Sequence, residues 1–141
     1  FHTPISVTPL VKGTPMDFTV AKKIGKDIEK DDEQLKFGNG YDHNWVLNHH
    51  QGELGLAAIA SDPASGRVME IYTTQPGVQF YSANWMDGEK GKHGHIYNKR
   101  EAFCLETQHF ADAINKPHFP SVILQPGQEY KQTCLHKFKT A

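Results

Sequence analysis

Hydrophobic positions along the chain fall into short runs in which apolar and polar residues alternate, separated by glycine- and proline-containing turns. Side chains that alternate in this way point to opposite faces of a β-strand. Seven runs are predicted as strands: Tyr41–Asn48, Leu54–Ser61, Arg67–Thr74, Val78–Ser82, Phe103–Gln108, Ser121–Leu124 and Glu129–Phe138. The pattern therefore predicts an all-β fold, a sandwich or part of one.

Turn signals predict how some of these strands pair. The stretch Asp62–Gly66 separates the second and third runs and predicts a hairpin. The stretch Gln125–Gly127 separates the last two runs and predicts another hairpin. Residues Asp87–Lys99 are dense in Gly, Lys and His and are predicted to form a flexible surface loop.

Helical signals are few and short. The charge-dense segment Ala21–Lys36 has apolar residues at Ile24 and Ile28, a spacing that allows one short surface helix. His109–Asn115 indicates a further helical turn. The composition changes near residue 38, so we interpret residues 1–38 as a connecting arm and residues 39–141 as the strand-rich region of one domain.

Composition and charge exclude some classes of function. The 141 residues carry a formal net charge of -1, whereas a nucleic-acid surface normally shows a large basic excess. No apolar run approaches the roughly 20 residues of a membrane span, and no signal peptide is evident. We expect a cytoplasmic protein; an exported form stays an alternative because the chain does not begin with Met. Cys104 and Cys134 are predicted to be free, buried thiols.

Three polar residues in or near strands are candidates for chemistry. Glu106 lies between apolar residues in a predicted strand, where a glutamate is either exposed on a wet sheet face, paired or functional. Asp42 follows a glycine-rich stretch beside aromatic residues, which suits either a polyol site or an Asp that closes its own turn. Gln79 is either a hydrogen-bonded sheet amide or a ligand for hydroxyl groups.

Nine histidines raise the question of a metal site. His49 and His50 are adjacent, so their side chains diverge, and His93 and His95 lie in the predicted loop. Neither pair is accompanied by Cys, Asp or Glu at a known ligand spacing. We therefore expect no metal.

Several longer motifs occur in order along the chain: Pro9–Pro15, Gly40–Trp45, Gly66–Tyr81, Phe103–Gln108, Asp112–Ala113, Pro117–Pro120 and Leu124–Gly127. Together they closely resemble the aldose 1-epimerase (galactose mutarotase) family over nearly the whole chain. The resemblance implies the carboxy-terminal part of that family's domain, and with it part of a large antiparallel β-sandwich, the supersandwich, with few short helices.

The resemblance also implies a reaction. The family interconverts the α and β anomers of aldohexoses such as galactose and glucose, without cofactor or metal. Glu106 stands where the family has its catalytic base, and Asp42 and Gln79 match its sugar-binding residues. We expect Glu106 to be partly buried, because partial burial makes a carboxylate a stronger base.

The chain departs from the family at its beginning. Family members are about twice as long, and their general-acid histidine lies in a motif upstream of the region that Phe1 begins. Neither His43 nor His109 matches that acid. We therefore expect the amino-terminal half of the same enzyme as a partner, and little or no activity from the isolated chain. The alternatives are a carbohydrate-binding module without catalysis, or an inactive fragment.

Overall fold

The computed structural model describes residues 9–140. One α-helix, α1, covers Glu33–Gly38, and short 3-10 turns cover Ile24–Lys26, Lys92–Gly94 and Ala113–Asn115. The strands are β1 (Asp42–Val46), β2 (Gly55–Asp62), β3 (Arg67–Thr73), β4 (Gly77–Tyr81), β5 (Asp87–Lys90), β6 (Ile96–Asn98), β7 (Cys104–Gln108) and β8 (Cys134–Thr140). The predicted all-β class is confirmed.

These elements form three sheets. Two have three strands, in the orders β1-β4-β7 and β2-β3-β8, and the third is the pair β5-β6. By contacts the chain divides into two compact units, Phe1–His43 with Phe80–Cys104 and Asn44–Gln79 with Leu105–Ala141. Each unit is described by itself below.

The first unit has a small aromatic core. Tyr41 is fully buried, and its ring lies 5.1 Å from that of Phe18 and 5.3 Å from that of Phe80. The ring of Phe103 lies 6.1 Å from Phe80 and extends the cluster. The Tyr41 hydroxyl donates to the carbonyl of Pro15 at 3.1 Å. Burial, aided by the charges of Asp27 and Asp32, raises the pKa of Tyr41 to about 12, so it remains a neutral donor at physiological pH.

Helix α1 in the same unit is capped at both ends by polar residues, Asp32 and Asn39. The Asp32 side chain accepts from the backbone N–H groups of Gln34 and Leu35, which satisfies two donors of the first turn. Asn39 adopts a left-handed conformation at the other end. Leu35 and the preceding Ile28 are buried. The predicted single helix at Ile24–Ile28 is thus only a 3-10 turn, because the capping residue that starts the α-helix lies further along the chain.

The second unit contains the sheet β2-β3-β8. The hairpin of β2 and β3 is confirmed, with Asp62 opposite Arg67 at its closed end. Asp62 closes the turn by accepting from the backbone N–H of Ala64 and the hydroxyl of Ser65. On the other side β3 pairs antiparallel with β8. The buried Glu70 of β3 is held there by an ion pair with Lys139 and a hydrogen bond from the Tyr72 hydroxyl.

The predicted carboxy-terminal hairpin is wrong. Ser121–Leu124 forms no strand, and β8 begins at Cys134 instead of Glu129. The turn itself does form, because the Gln128 N–H donates to the carbonyl of Gln125 at 3.0 Å. The strand that follows pairs with β3 and not with the segment before the turn, so a turn signal alone did not identify the partner.

Two further expectations are also wrong. Asp87–Lys99 contains the antiparallel hairpin β5-β6 instead of a structureless loop. The two strands are exposed and largely polar in composition, so their sequence resembles that of a loop. What distinguishes the hairpin is close packing at its turn, where a Cβ at Gly91 would lie 2.3 Å from the Tyr97 ring. Cys104 and Cys134 are free thiols as predicted, but both are exposed. Cys134 is exposed because, among the described residues, nothing covers either face of β8, all of whose residues are exposed.

The turn predicted within His109–Asn115 is present as Ala113–Asn115. No helix among residues 9–140 is long and apolar enough to cross a membrane. The division at residue 38 into arm and strand-rich region stays a prediction.

Candidate functional site

The second unit carries a cluster of carboxamides contributed by three strands. The Gln108 amide nitrogen on β7 lies 3.5 Å from Oε1 of Gln79 on β4 and 3.4 Å from Oδ1 of Asn44 on β1. Both distances are at the long end for hydrogen bonds, so each contact is weak and adjustable. We call Asn44, Gln79 and Gln108 the amide cluster. It brings donors and acceptors together on one face, as recognition of hydroxyl groups requires.

Glu106 lies on the same face as this cluster. It precedes Gln108 by two residues in β7, and side chains two apart in a strand point the same way. Gln108 contacts Gln79, so the face that bears Glu106 also bears Gln79. Gln79 and Glu106, both in the second unit, thus lie on neighbouring strands of one sheet.

Glu106 is exposed, so the expected partial burial is wrong for the described chain. Unlike Glu106, the β4 residues on either side of Gln79, Val78 and Phe80, are buried. Gln79 itself is half-buried. Along β4, Gln79 thus points away from the side on which its neighbours are buried, and the exposed Glu106 lies on the same side as Gln79.

A glycine makes room for the amide cluster. A Cβ at Gly77 would lie 2.6 Å from Oδ1 of Asn44, which is closer than non-bonded atoms approach. The Asn44 carboxamide therefore packs directly over the backbone of Gly77. Any larger residue at this position would displace the acceptor that Gln108 contacts.

Asp42 belongs to the first unit, where it is the first residue of β1 and half-buried. Its backbone N–H donates to Nδ1 of the neighbouring His43 at 3.0 Å. The loop before it is held by the buried Asn84, whose amide nitrogen donates to the carbonyls of Gly38 and Tyr41. The backbone at Asp42 is thus fixed by hydrogen bonds on both sides, so the position from which its side chain extends is defined.

Two histidines close to the site motifs have partners of their own. His43 uses both ring nitrogens, the second lying 3.1 Å from the carbonyl of Gln34. Nε2 of His109 lies 2.9 Å from the side-chain nitrogen of Gln51. The expectation that neither residue is the general acid stays a prediction. In the described part of the chain, no three His, Cys, Asp or Glu side chains group closely enough to hold a metal ion.

Neither Asn44 nor Gln108 was singled out from the sequence as a site residue. Strand alternation contains the signal for both, because Asn44 follows Asp42 by two residues and Gln108 follows Glu106 by two. The requirement for glycine at position 77 has no such signal in the sequence. It arises from a contact with Asn44, which lies 33 positions earlier in the chain.

Comparisons with known proteins agree on one family. The family model described as aldose 1-epimerase matches residues 2–137. Galactose mutarotase from Homo sapiens is 48% identical over 132 residues, which are 93% of this chain and 37% of that protein. Galactose mutarotase from Rattus norvegicus is 44% identical over 139 residues, covering 98% of this chain and 39% of that protein.

More distant relatives show the same correspondence. Aldose 1-epimerase from Escherichia coli is 32% identical over 130 residues, which are 91% of this chain and 37% of that protein. A crystal structure of an aldose epimerase homologue from C. elegans superposes with a TM-score of 0.81 at 29% identity, covering 97% of this chain and 40% of that chain. The chain thus spans well under half the length of the relatives that it matches.

Proposed function

Because the chain belongs to the aldose 1-epimerase family, we propose that it supplies the base and part of the sugar site of an enzyme that interconverts the α and β anomers of aldohexoses such as galactose and glucose. The observation that carries the proposal is the position of Glu106. It is exposed on β7, on the sheet face that bears the amide cluster.

The chemistry needs a base and an acid. The Glu106 carboxylate takes the proton from the anomeric hydroxyl as an acid protonates the ring oxygen, so that the bond between the anomeric carbon and the ring oxygen breaks and a free aldehyde forms. The carbonyl turns about the adjacent carbon–carbon bond, and the ring closes on the other face of the carbonyl. Both protons return, so the enzyme ends unchanged and no cofactor is consumed.

The sugar must be held while this happens. Asp42 and Gln79 are the residues that we propose bind its hydroxyl groups, as the family resemblance implies. A carboxylate accepts and a carboxamide both donates and accepts, so the pair can fix hydroxyl groups of either orientation. Holding the ring within reach of acid and base removes much of the entropic barrier to reaction. Strands are a more rigid platform for such placement than loops are.

The general acid is proposed to come from the amino-terminal half of the same enzyme, as the resemblance implies. Support comes from the coverage, since the chain matches 37–39% of the length of its mammalian relatives. It also comes from the histidines beside the site motifs, because the ring nitrogens of His43 contact backbone groups and His109 contacts Gln51.

The decisive experiment is Glu106→Gln in the complete enzyme, followed by polarimetry on freshly dissolved α-galactose. The amide keeps the shape of the side chain but cannot take the proton, so kcat should fall on the order of a hundredfold or more while sugar affinity is retained. The exposed Glu129→Gln is the matched control and should behave like the wild type. A Glu106→Gln enzyme that keeps kcat within a few-fold would remove Glu106 from the role of base.

The isolated chain separates the proposal from its alternatives. Alone it should not accelerate the optical change above the spontaneous rate, because general acid catalysis is typically worth about a hundred- to ten-thousand-fold. Addition of the separately made amino-terminal half should restore turnover. A complete enzyme that binds galactose without accelerating mutarotation would instead be a carbohydrate-binding module.

A further inference from the structure

The imidazole of His43 contacts the backbone through both nitrogens. The N–H of Asp42 donates to Nδ1 at 3.0 Å, and Nε2 lies 3.1 Å from the carbonyl oxygen of Gln34. A ring nitrogen that accepts a hydrogen bond carries no proton, and a carbonyl can only accept. These two contacts therefore select the neutral tautomer that is protonated at Nε2. All three residues belong to the first unit.

The ring spans the gap between two elements of that unit. Gln34 lies in the first turn of α1, and Asp42 begins β1. At the other end of the helix, Gly38 leaves space for the ring, since a Cβ there would lie 3.2 Å from Cε1 of His43 and 3.4 Å from Cβ of Asp42. The imidazole thus fixes the distance between the helix and the first residue of the strand.

We propose that His43 is a positioning residue that sets the place of the Asp42 carboxylate for sugar binding. This inference rests on the proposed function, in which Asp42 holds the sugar hydroxyls. Asp42 has one backbone N–H, and His43 accepts it. Loss of that acceptor removes one of the contacts that hold the backbone at the residue whose side chain must meet the sugar. A displacement of the carboxylate on the order of 1 Å takes its oxygens out of hydrogen-bonding range of the sugar hydroxyls, which weakens binding.

Two substitutions separate positioning from simple stability. In His43→Asn the side-chain oxygen stands where Nδ1 stands and can accept from the Asp42 N–H. In His43→Gln the amide nitrogen reaches toward the Gln34 carbonyl in place of Nε2, but no acceptor is left beside Asp42. Each variant keeps one of the two contacts. His95→Gln, at an exposed position of the same unit, is the control.

The variants are to be compared in the complete enzyme by KM and kcat for galactose and by Tm. We expect His43→Gln to raise KM about tenfold, equivalent to about 1.4 kcal/mol, with a smaller change in kcat. His43→Asn should retain a KM near that of the wild type. Equal KM values for the two variants, with only Tm lowered, would overturn the inference and leave His43 a purely structural residue.

A double mutant distinguishes failure of this inference from failure of the proposed function. If His43 acts through Asp42, the combination of His43→Gln with Asp42→Ala should raise KM no further than Asp42→Ala alone. Independent, additive effects would overturn the inference while Asp42 stays in the site. An Asp42→Ala enzyme with unchanged KM would remove Asp42 from the sugar site and overturn both.

Discussion

Replacement of Asn84 by Ala tests how firmly the loop before Asp42 is held. Asn84 is buried, with 2% of its surface exposed. Its amide nitrogen donates to the carbonyls of Gly38 and Tyr41 at 2.9 and 2.8 Å, and its Oδ1 accepts from the Ser82 hydroxyl at 2.7 Å. The same oxygen lies so close to the backbone of Gly40 that a Cβ there would be 2.3 Å away. Alanine removes all three bonds and this contact.

The three bonds set the expected magnitude. A buried hydrogen bond contributes about 1 kcal/mol net, so their loss costs about 3 kcal/mol. The carbonyl of Tyr41 keeps a second donor, the backbone N–H of Ser82 at 3.0 Å, which limits the penalty for that group. We expect Asn84→Ala to lower the free energy of unfolding by about 3–4 kcal/mol, a large part of the 5–15 kcal/mol typical of a folded protein.

Denaturant unfolding of the complete enzyme measures this loss. Ser82→Ala removes one bond of the three and also the hydroxyl that accepts from the buried Tyr41 N–H at 3.1 Å, so it should cost about 2 kcal/mol. Asn84→Asp keeps the size but offers no donor to the two carbonyls, so it should destabilise at least as much as Ala. The exposed Asn48→Ala is the control and should stay within about 0.5 kcal/mol. A loss below about 1 kcal/mol for Asn84→Ala would refute the reasoning, because the loop would then be held by other contacts.

Two further predictions concern the amide cluster and the ion pairs of the first unit. Gly77→Ala should raise KM for galactose several-fold while lowering Tm little, because only the flexible Asn44 side chain has to move; an unchanged KM would separate the cluster from sugar binding. Hydrogen bonds from Lys22 and Lys30 lower the pKa of Asp27 from 3.8 to about 2, so Asp27 stabilises the fold above about pH 4 and this contribution is lost as the pH falls toward 2. The Tm difference between wild type and Asp27→Asn should therefore shrink over that range, and a constant difference would contradict it.

Turn signals predicted strand pairing correctly where two strands that are adjacent in the sequence also pair in the sheet. The hairpin of β2 and β3 followed from the Asp62–Gly66 turn because the turn residues close it directly. The same reasoning failed at Gln125–Gly127, where the turn forms but the following strand pairs with β3. Pairing of residues 61 to 73 positions apart, as between β3 and β8, is decided by the sheet as a whole, which a periodicity of two cannot encode.

The candidate site was predicted in a different way. Alternation along β7 puts Glu106 and Gln108 on one face of the strand, and on that face Gln108 contacts Gln79. The roles of Glu106, Asp42 and Gln79 came from the family resemblance and stay predictions. The bond between His43 and the Asp42 N–H could not be read from the sequence, because a histidine beside an aspartate has no fixed ring orientation until helix and strand are in place.

The exposure of Glu106 bears directly on the proposed division of the enzyme. A base that opens a sugar ring works best where water is excluded and its partners are fixed, yet Glu106 is exposed in the described chain. Large apolar side chains are exposed too, including Phe138 at 74% on the edge strand β8 and Ile59 at 59% on β2. Unpaired edges and apolar surface of this kind are usually covered by further strands or a partner. The proposed amino-terminal half would therefore have two tasks, to supply the acid and to cover the sheet. Addition of that half should therefore slow amide hydrogen exchange in β8 as well as restore turnover. Restored turnover with unchanged exchange in β8 would mean that the half supplies the acid but does not cover the sheet.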